Sequence, residues 1–202
     1  MRRNFVFIVL YSLVIGTLVG QEIKNIGVDI SPFSTDYFSL PLIDLDDHRE
    51  WQTVIDREEG QYLGHPTTVL LPDGKTIFIV YPKGHGRGSI VMKKSEDGGL
   101  HWSERLPVPD NWSTSQEVPT LYPVTDSLGK TRVIMFSGRY PARMAYSNDW
   151  CTSWSPLTPL GDWGGIVVMG DVVDLHTGAG HYLALFHDDE RYFTAQGRPQ
   201  HS

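Results

Sequence analysis

Ser95-Glu96-Asp97-Gly98-Gly99-Leu100-His101-Trp102 is an S-x-D-G-G-x-x-W turn, and its chemistry is that of a tight hairpin. The Asp97 carboxylate can accept hydrogen bonds from the backbone N–H groups that follow it, Gly98 and Gly99 can take positive φ, and Trp102 can return to pack over the bend. The motif is a staple for a β-hairpin and does no catalysis.

A second copy follows about fifty residues later as Ser147-Asn148-Asp149-Trp150-Cys151-Thr152-Ser153-Trp154, with Ser, Asp and Trp at the same offsets but without the glycines. Recurrence at that period is what radially repeated, four-stranded blades of roughly 40–50 residues produce. Around these turns the strands repeat as well. Thr67 to Leu71, the Pro72-Asp73-Gly74-Lys75 turn and Thr76 to Tyr81 form a hairpin signal, with Ser89 to Lys93 as a third strand. The pattern returns as Pro119 to Val124, the Asp126-Ser127-Leu128-Gly129-Lys130 turn, Thr131 to Ser137 and Ala142 to Tyr146. A third unit begins at Ile166 to Val168 and continues with Val172 to Leu175, the His176 to Gly180 turn and His181 to Phe186. No segment of helical period follows the N-terminus. The expected fold class is all-β.

On these turns and their period the chain resembles the Asp-box proteins of the sialidase superfamily, which implies a sialidase-like β-propeller over residues 61–202. About three four-stranded blades are legible, against a presumed six or more, so the sequence reads as a fragment or a prematurely ended chain, which can itself be inactive. Residues 21–60, rich in Pro, Ser and Asp, read as an irregular lead-in. Residues 1–20 read as a signal peptide: Arg2 and Arg3 precede an apolar run from Phe5 to Val19. A single membrane anchor is the alternative, since the run approaches spanning length. With the signal cleaved, no stable membrane insertion is expected and the protein is secreted or periplasmic, in a bacterium.

Composition narrows the partners. The chain has 17 basic and 24 acidic residues, a net charge of −7 that becomes about −9 once Arg2 and Arg3 are removed. An acidic protein of this kind is no general nucleic-acid binder. Cys151 is the only cysteine, so no intramolecular disulfide can form. Asn111-Trp112-Ser113 is a formal glycosylation sequon, read here as a loop.

In a propeller the loops at one end of the central channel carry function. This turns attention away from Asp97 and Asp149 and towards polar residues where inner strands begin and second strands end. His65, in Gly64-His65-Pro66, and His85, in Lys83-Gly84-His85-Gly86-Arg87-Gly88, flank the first hairpin and should meet at one end of it. Singly, each reads first as a solvated loop histidine; as a pair in register, the functional reading stands level with it. Glu117 opens the next unit, and Arg139 and Arg143 flank the turn after Thr131 to Ser137. Arginine suits an acidic sugar because its planar fork pairs with a carboxylate and stays charged. His187-Asp188-Asp189-Glu190-Arg191 reads as a solvated turn or, alternatively, an acid/base or cation site. His176 and His181 lack a third convergent ligand, so no metal and no cofactor is expected.

The resemblance implies hydrolysis of a terminal acidic sugar, with an arginine triad for its carboxylate, an aspartic acid as proton donor and a tyrosine activated by a glutamate. Glu117 looks like that glutamate, and Arg139 or Arg143 looks like a triad arginine. The place of the first triad arginine holds Gly64-His65-Pro66, and that of the acid aspartate holds Lys83-Gly84-His85. The histidine pair is similar instead to ulvan-type propeller lyases and rhamnosyl-glucuronate hydrolases, which implies His65 or His85 with Tyr122 as base and acid, and Arg139 neutralising a uronate. The expected catalytic residues are thus His65, His85, Glu117 and Tyr122, with Arg139, Arg143 and Arg87 binding substrate. The leading expectation is a secreted glycoside hydrolase cleaving at an acidic sugar. A uronate-directed lyase and a non-catalytic glycan-binding propeller are the alternatives.

Overall fold

The structure, a computed structural model, describes residues 46, 48–85, 88–161 and 165–188. The signal at 1–20, Arg87 and the carboxylates of Asp189 and Glu190 lie outside the described residues. Tyr11–Gln52 forms a unit of its own, whose described part includes a 3-10 turn, Arg49–Trp51.

Three antiparallel sheets succeed one another along the chain. The first has the order β1 (Thr67–Leu70), β2 (Ile77–Pro82), β3 (Ile90–Ser95). The second has β4 (Thr120–Thr125), β5 (Thr131–Ser137), β6 (Arg143–Ser147) and a short β7 (Thr158–Pro159). The third pairs β8 (Val168–Asp174) with β9 (Tyr182–His187). The only helical elements among the described residues are two 3-10 turns, and no helix there is long and apolar enough to cross a membrane.

The sheets do not all have the four strands expected. In the first, the chain after the box runs back along β3 through Ser103 N–H to the Lys94 carbonyl (2.8 Å) and Leu106 N–H to the Met92 carbonyl (2.8 Å), without a regular strand. In the third, the two expected pieces at Ile166 to Val168 and Val172 to Leu175 are largely one strand: a register shift between Met169 and Asp171 carries β8 through Gly170. A residue without a side chain to pack lets a strand continue through such an irregularity.

The apolar run Ile77-Phe78-Ile79-Val80-Tyr81 is explained by burial on both faces. Phe78 and Val80, with Ile90 and Met92, share a core with Leu121, Val133, Met135 and Ala145 of the second sheet. Ile79, Tyr81 and Val91 point the other way and are covered by Ile55 of the lead-in, Leu63 and Trp102. The opposite face of the second sheet buries Phe136, Ala142 and partly Tyr122 and Met144 against Met169 and Ala184 of the third. First strands of successive sheets lie side by side, β1 against β4 and β4 against β8, and the Thr67 hydroxyl bonds the Pro119 carbonyl across the first junction (3.0 Å).

Both boxes fold as staples. Asp97 accepts from the Ser95 hydroxyl (2.8 Å) and His101 N–H (2.9 Å), Gly99 N–H donates to Ser95 Oγ (2.8 Å), and Trp102 Nε1 donates to the Gly99 carbonyl (2.9 Å). In the second copy Asp149 accepts from Ser147 (2.8 Å) and Ser153 N–H (2.9 Å), and Cys151 N–H donates to Ser147 Oγ (2.8 Å). Trp150 and Cys151 stand where the glycines stood and adopt φ of 54° and 68°. Trp154 packs on the fully buried Trp112 at 5.3 Å, and among the described residues its Nε1 has no hydrogen-bond partner, unlike that of Trp102. The Asn111 amide donates to the Leu157 carbonyl (2.9 Å) and accepts from Leu157 N–H (3.0 Å), so the sequon asparagine is a structural tie between segments.

Candidate functional site

Each of the first two hairpins brings one residue before its first strand against one residue after its second. In the first sheet Leu63 bridges Lys83, which sets the two flanking segments opposite each other. His65 Nε2 and His85 Nδ1 are consequently 2.9 Å apart, with ring centroids at 4.6 Å. A hydrogen bond between two imidazoles needs one N–H and one lone pair, so while it persists the accepting ring is neutral, its lone pair is engaged by its partner, and its other nitrogen carries hydrogen. Gly88 makes the loop possible: a Cβ there would lie 2.0 Å from the Lys83 carbonyl oxygen.

In the second sheet Glu117 precedes β4 and Arg139 follows β5. Arg139 Nε donates to Glu117 Oε1 at 3.1 Å, with both side chains largely buried. Gly138 permits this closure, since a Cβ would lie 2.9 Å from the Glu117 Cβ and 2.2 Å from the Val167 carbonyl oxygen. Arg139 and Ile166 bridge each other, which brings the start of the third sheet to the same place. Gly88 N–H reaches the Ser115 carbonyl (3.4 Å), so the His85 loop and the approach to Glu117 share one end of the molecule.

His65, Glu117 and Arg139 all have positive φ, at 52°, 60° and 62°. A residue with a side chain in the left-handed region costs about 1 kcal/mol or more, and such residues concentrate at binding and catalytic sites. The remaining described non-glycine residues of this kind are Trp150 and Cys151 in the second box and His176 in a turn.

Tyr122, expected beside the histidines, is elsewhere. It lies in β4 facing the third sheet, its hydroxyl donates to the Met169 carbonyl (3.3 Å), and burial raises its pKa. The period-2 alternation of β4 turns Tyr122 to the opposite face from Leu121, into the packing between sheets. The tyrosine that does meet the histidines is Tyr62, half-exposed, with ring centroids 6.2 Å from His65 and 5.9 Å from His85. Its ring lies over Gly64, where a Cβ would come within 2.4 Å of the phenol oxygen. That glycine, between a tyrosine and a histidine, was the available sequence signal.

Arg143 opens β6 and donates to the Thr114 hydroxyl (2.8 Å) and carbonyl (2.7 Å). With Thr114, Gln116, Gly138, Tyr140 and Pro141 it lines a cleft of about 290 Å³. A larger groove of about 510 Å³ runs past Asp56, Glu58, Lys83 and Arg105 on the lead-in. Four of its six charged residues pair with one another: Arg105 binds Asp56 (2.8 Å) and Glu58 (2.6 Å), and Lys83 binds Glu58 (2.9 Å). Burial pulls the Asp56 pKa upward, but the Arg105 and Tyr81 hydrogen bonds outweigh it and leave a net lowering. These ion pairs brace the lead-in.

Among the described residues no group of three or more His, Cys, Asp or Glu could hold a metal ion. No family model matches this sequence, and no curated protein matches it.

Proposed function

We propose that the three sheets are successive blades of a sialidase-like β-propeller, and that the protein is an exported bacterial carbohydrate-active enzyme cleaving a glycosidic bond at an acidic sugar. The two boxes, the face-to-face stacking of the sheets and the side-by-side first strands support the architecture. The observation that carries the function is the gathering, at one end, of a histidine–histidine pair and a glutamate–arginine pair built on three strained backbone positions. Arginine at this end attracts the sugar's anionic group. The ring that donates within the His65–His85 pair, as an imidazolium, protonates the leaving oxygen through its outward nitrogen, and the nitrogen so freed then takes a proton from the attacking water.

A second reading has its own support. Glu117 is tied to Arg139, which draws it away from the tyrosine-activating role that the hydrolytic resemblance implies. With the imidazoles and Tyr62 as acid and base, abstraction of the proton next to a uronate carboxylate becomes the competing route, giving elimination. The test is incubation of the full chain with sialylated and uronate-containing oligosaccharides, with products weighed by mass spectrometry and read in the near ultraviolet. Hydrolysis adds one water and gives no new absorbance; elimination adds none and gives an unsaturated, absorbing product. Binding without turnover would leave a glycan-binding protein and refute the enzymatic reading.

A further inference from the structure

We infer that Glu58 of the lead-in is a positioning residue for the His65–His85 pair, acting through its ion pair with Lys83. This rests on the reading of those histidines as the reacting pair and names what holds them in register from outside the repeats.

Lys83 is the residue on which the His85 loop closes. Its backbone N–H donates to the Ser89 carbonyl (3.0 Å), and a Cβ on Gly88 would lie 2.0 Å from its own carbonyl oxygen, so both ends of the loop meet there. Opposite Lys83 stands Leu63, two residues before His65. A displacement of Lys83 therefore moves His85 relative to His65, and their contact at 2.9 Å has little room for it.

The Lys83 ammonium is held by Glu58 Oε1 at 2.9 Å, and among the described residues it has no other ion-pair partner. Glu58 is itself anchored. Its second oxygen accepts from Arg105 Nη1 (2.6 Å), and Arg105 Nε reaches Asp56 (2.8 Å), which also accepts from the Tyr81 hydroxyl of β2. One residue earlier, the Ile55 carbonyl accepts from the buried Lys93 ammonium of β3. Hydrogen bonds from Lys83 and Arg105 hold the Glu58 pKa below its ordinary value, so at neutral pH it is a carboxylate with each oxygen on a different cation. Glu58 thus joins a clamped segment to the base of the loop. Beyond it the chain turns, with the Gln61 N–H on the Glu58 carbonyl (3.2 Å), and brings Tyr62 to both imidazoles. The Lys83 and Glu58 side chains are 31 % and 33 % exposed, so their pairing adds little to global stability. Its loss is a local event, read at the histidines before it is read in a melt.

The test reads the imidazole nitrogens of the full chain by NMR at mildly alkaline pH, beside kcat, KM and the urea midpoint. In wild type, His65 and His85, assigned through their Ala variants, should each show the shifts of one fixed tautomer, because one ring donates and the other accepts. Glu58→Gln and Lys83→Met should each bring both rings to tautomer-averaged shifts and lower kcat about tenfold, short of the roughly 10²-fold cost of a one-ångström misplacement, with KM and the urea midpoint near wild type. Lys83→Arg keeps the charge and should keep the fixed tautomers. The double variant Glu58→Gln/Lys83→Met should be no worse than either single one. Glu96→Gln, which breaks an ion pair of the same kind with Lys94 (2.7 Å) at the far end of β3, should leave every readout unchanged. Fixed tautomers retained in Glu58→Gln, or additive losses in the double variant, overturn the inference and leave the proposed function standing. Averaged tautomers already in the wild type also overturn it, since there is then no pair to position. Tautomers fixed in wild type and averaged in Glu58→Gln, in a protein that cleaves no acidic glycan, support the positioning and overturn the proposed function.

Discussion

The first and second sheets place a residue pair at the same two points of the same hairpin, yet fill it with opposite chemistry. Before β1 and after β2 stand His65 and His85; before β4 and after β5 stand Glu117 and Arg139. One pair can hold or release a proton, and the other is a fixed ion pair. The backbone supplies a location in both, and side-chain identity alone decides whether that location moves protons or holds a shape. A pair of the first kind should be dispensable for folding and needed for turnover; a pair of the second kind should show the reverse emphasis.

The largest effect should come from the histidines. His65→Ala and His85→Ala are each expected to lower kcat by about 10²- to 10⁴-fold on the acidic glycan that the wild type cleaves. Their urea midpoints should stay near wild type, because His65 occupies a left-handed backbone position and its partner sits in an exposed loop. His65→Gly should even match or exceed wild-type stability while remaining inactive. Destabilisation of both histidine variants comparable to that of Glu117→Gln would erase the contrast between the sheets.

Glu117→Gln comes next in size. It leaves a largely buried guanidinium facing a neutral amide, so unfolding in urea should show a loss of about 1.5–3 kcal/mol. Because Arg139 also bridges Ile166, the loss should spread to the third sheet and appear as faster amide exchange at Ile166. A loss confined to catalysis, with stability unchanged, would move Glu117 from the shaping pair to the reacting one.

Much of this contrast was legible before any coordinates. Hairpin turns rich in Gly and Asp between β-branched runs located most strands to within a residue or two, and the His65–His85 and Glu117–Arg139 encounters follow from the geometry of a chain that goes out and comes back. What could not be read was which face a strand residue takes once sheets stack on both sides. Tyr122 was lost to the packing between sheets for that reason, and Tyr62 was missed because its role depends on a loop folding over Gly64. The difference between Arg139 and Arg143 was hidden too, since it lies in their partners, Glu117 in one case and Thr114 in the other. The missing glycines of the second box likewise gave no hint that Trp150 and Cys151 would adopt the same backbone.

The boxes extend the comparison to the other end of the strands, with smaller effects. Hydrogen bonds from His101 and Ser95 hold the Asp97 pKa at about 2, below the ordinary 3.8. A carboxylate lowered on folding contributes stability above its unfolded value, and the contribution is lost as pH falls towards its folded value. Thermal melts should therefore show a stabilising contribution from Asp97 that is present at pH 5 and fades between about pH 4 and 2, and that is missing from Asp97→Asn. Asp149 is lowered in the same direction by Ser153 and Ser147, so Asp149→Asn should behave alike. A flat acid limb in wild type would mean that the boxes close without help from their carboxylates.

The smallest effect tests whether the second box folds against its own residue preferences. Trp150 holds φ of 54° where its counterpart Gly98 holds 76°, and with 37 % of it exposed most of the residue is covered, so its removal sets backbone relief against lost packing. Trp150→Gly should relieve the backbone but give up those contacts and add the freedom of glycine to the unfolded chain, for a net change of less than about 1 kcal/mol. The reciprocal change isolates the backbone term. Nothing lies within 4 Å of a Cβ added at Gly98, so Gly98→Ala meets no clash and should cost about 1 kcal/mol through φ alone. If Gly98→Ala is neutral while Trp150→Gly destabilises, the tryptophan contributes contacts that outweigh its strain, and the second box is held by its side chains where the first is held by its glycines.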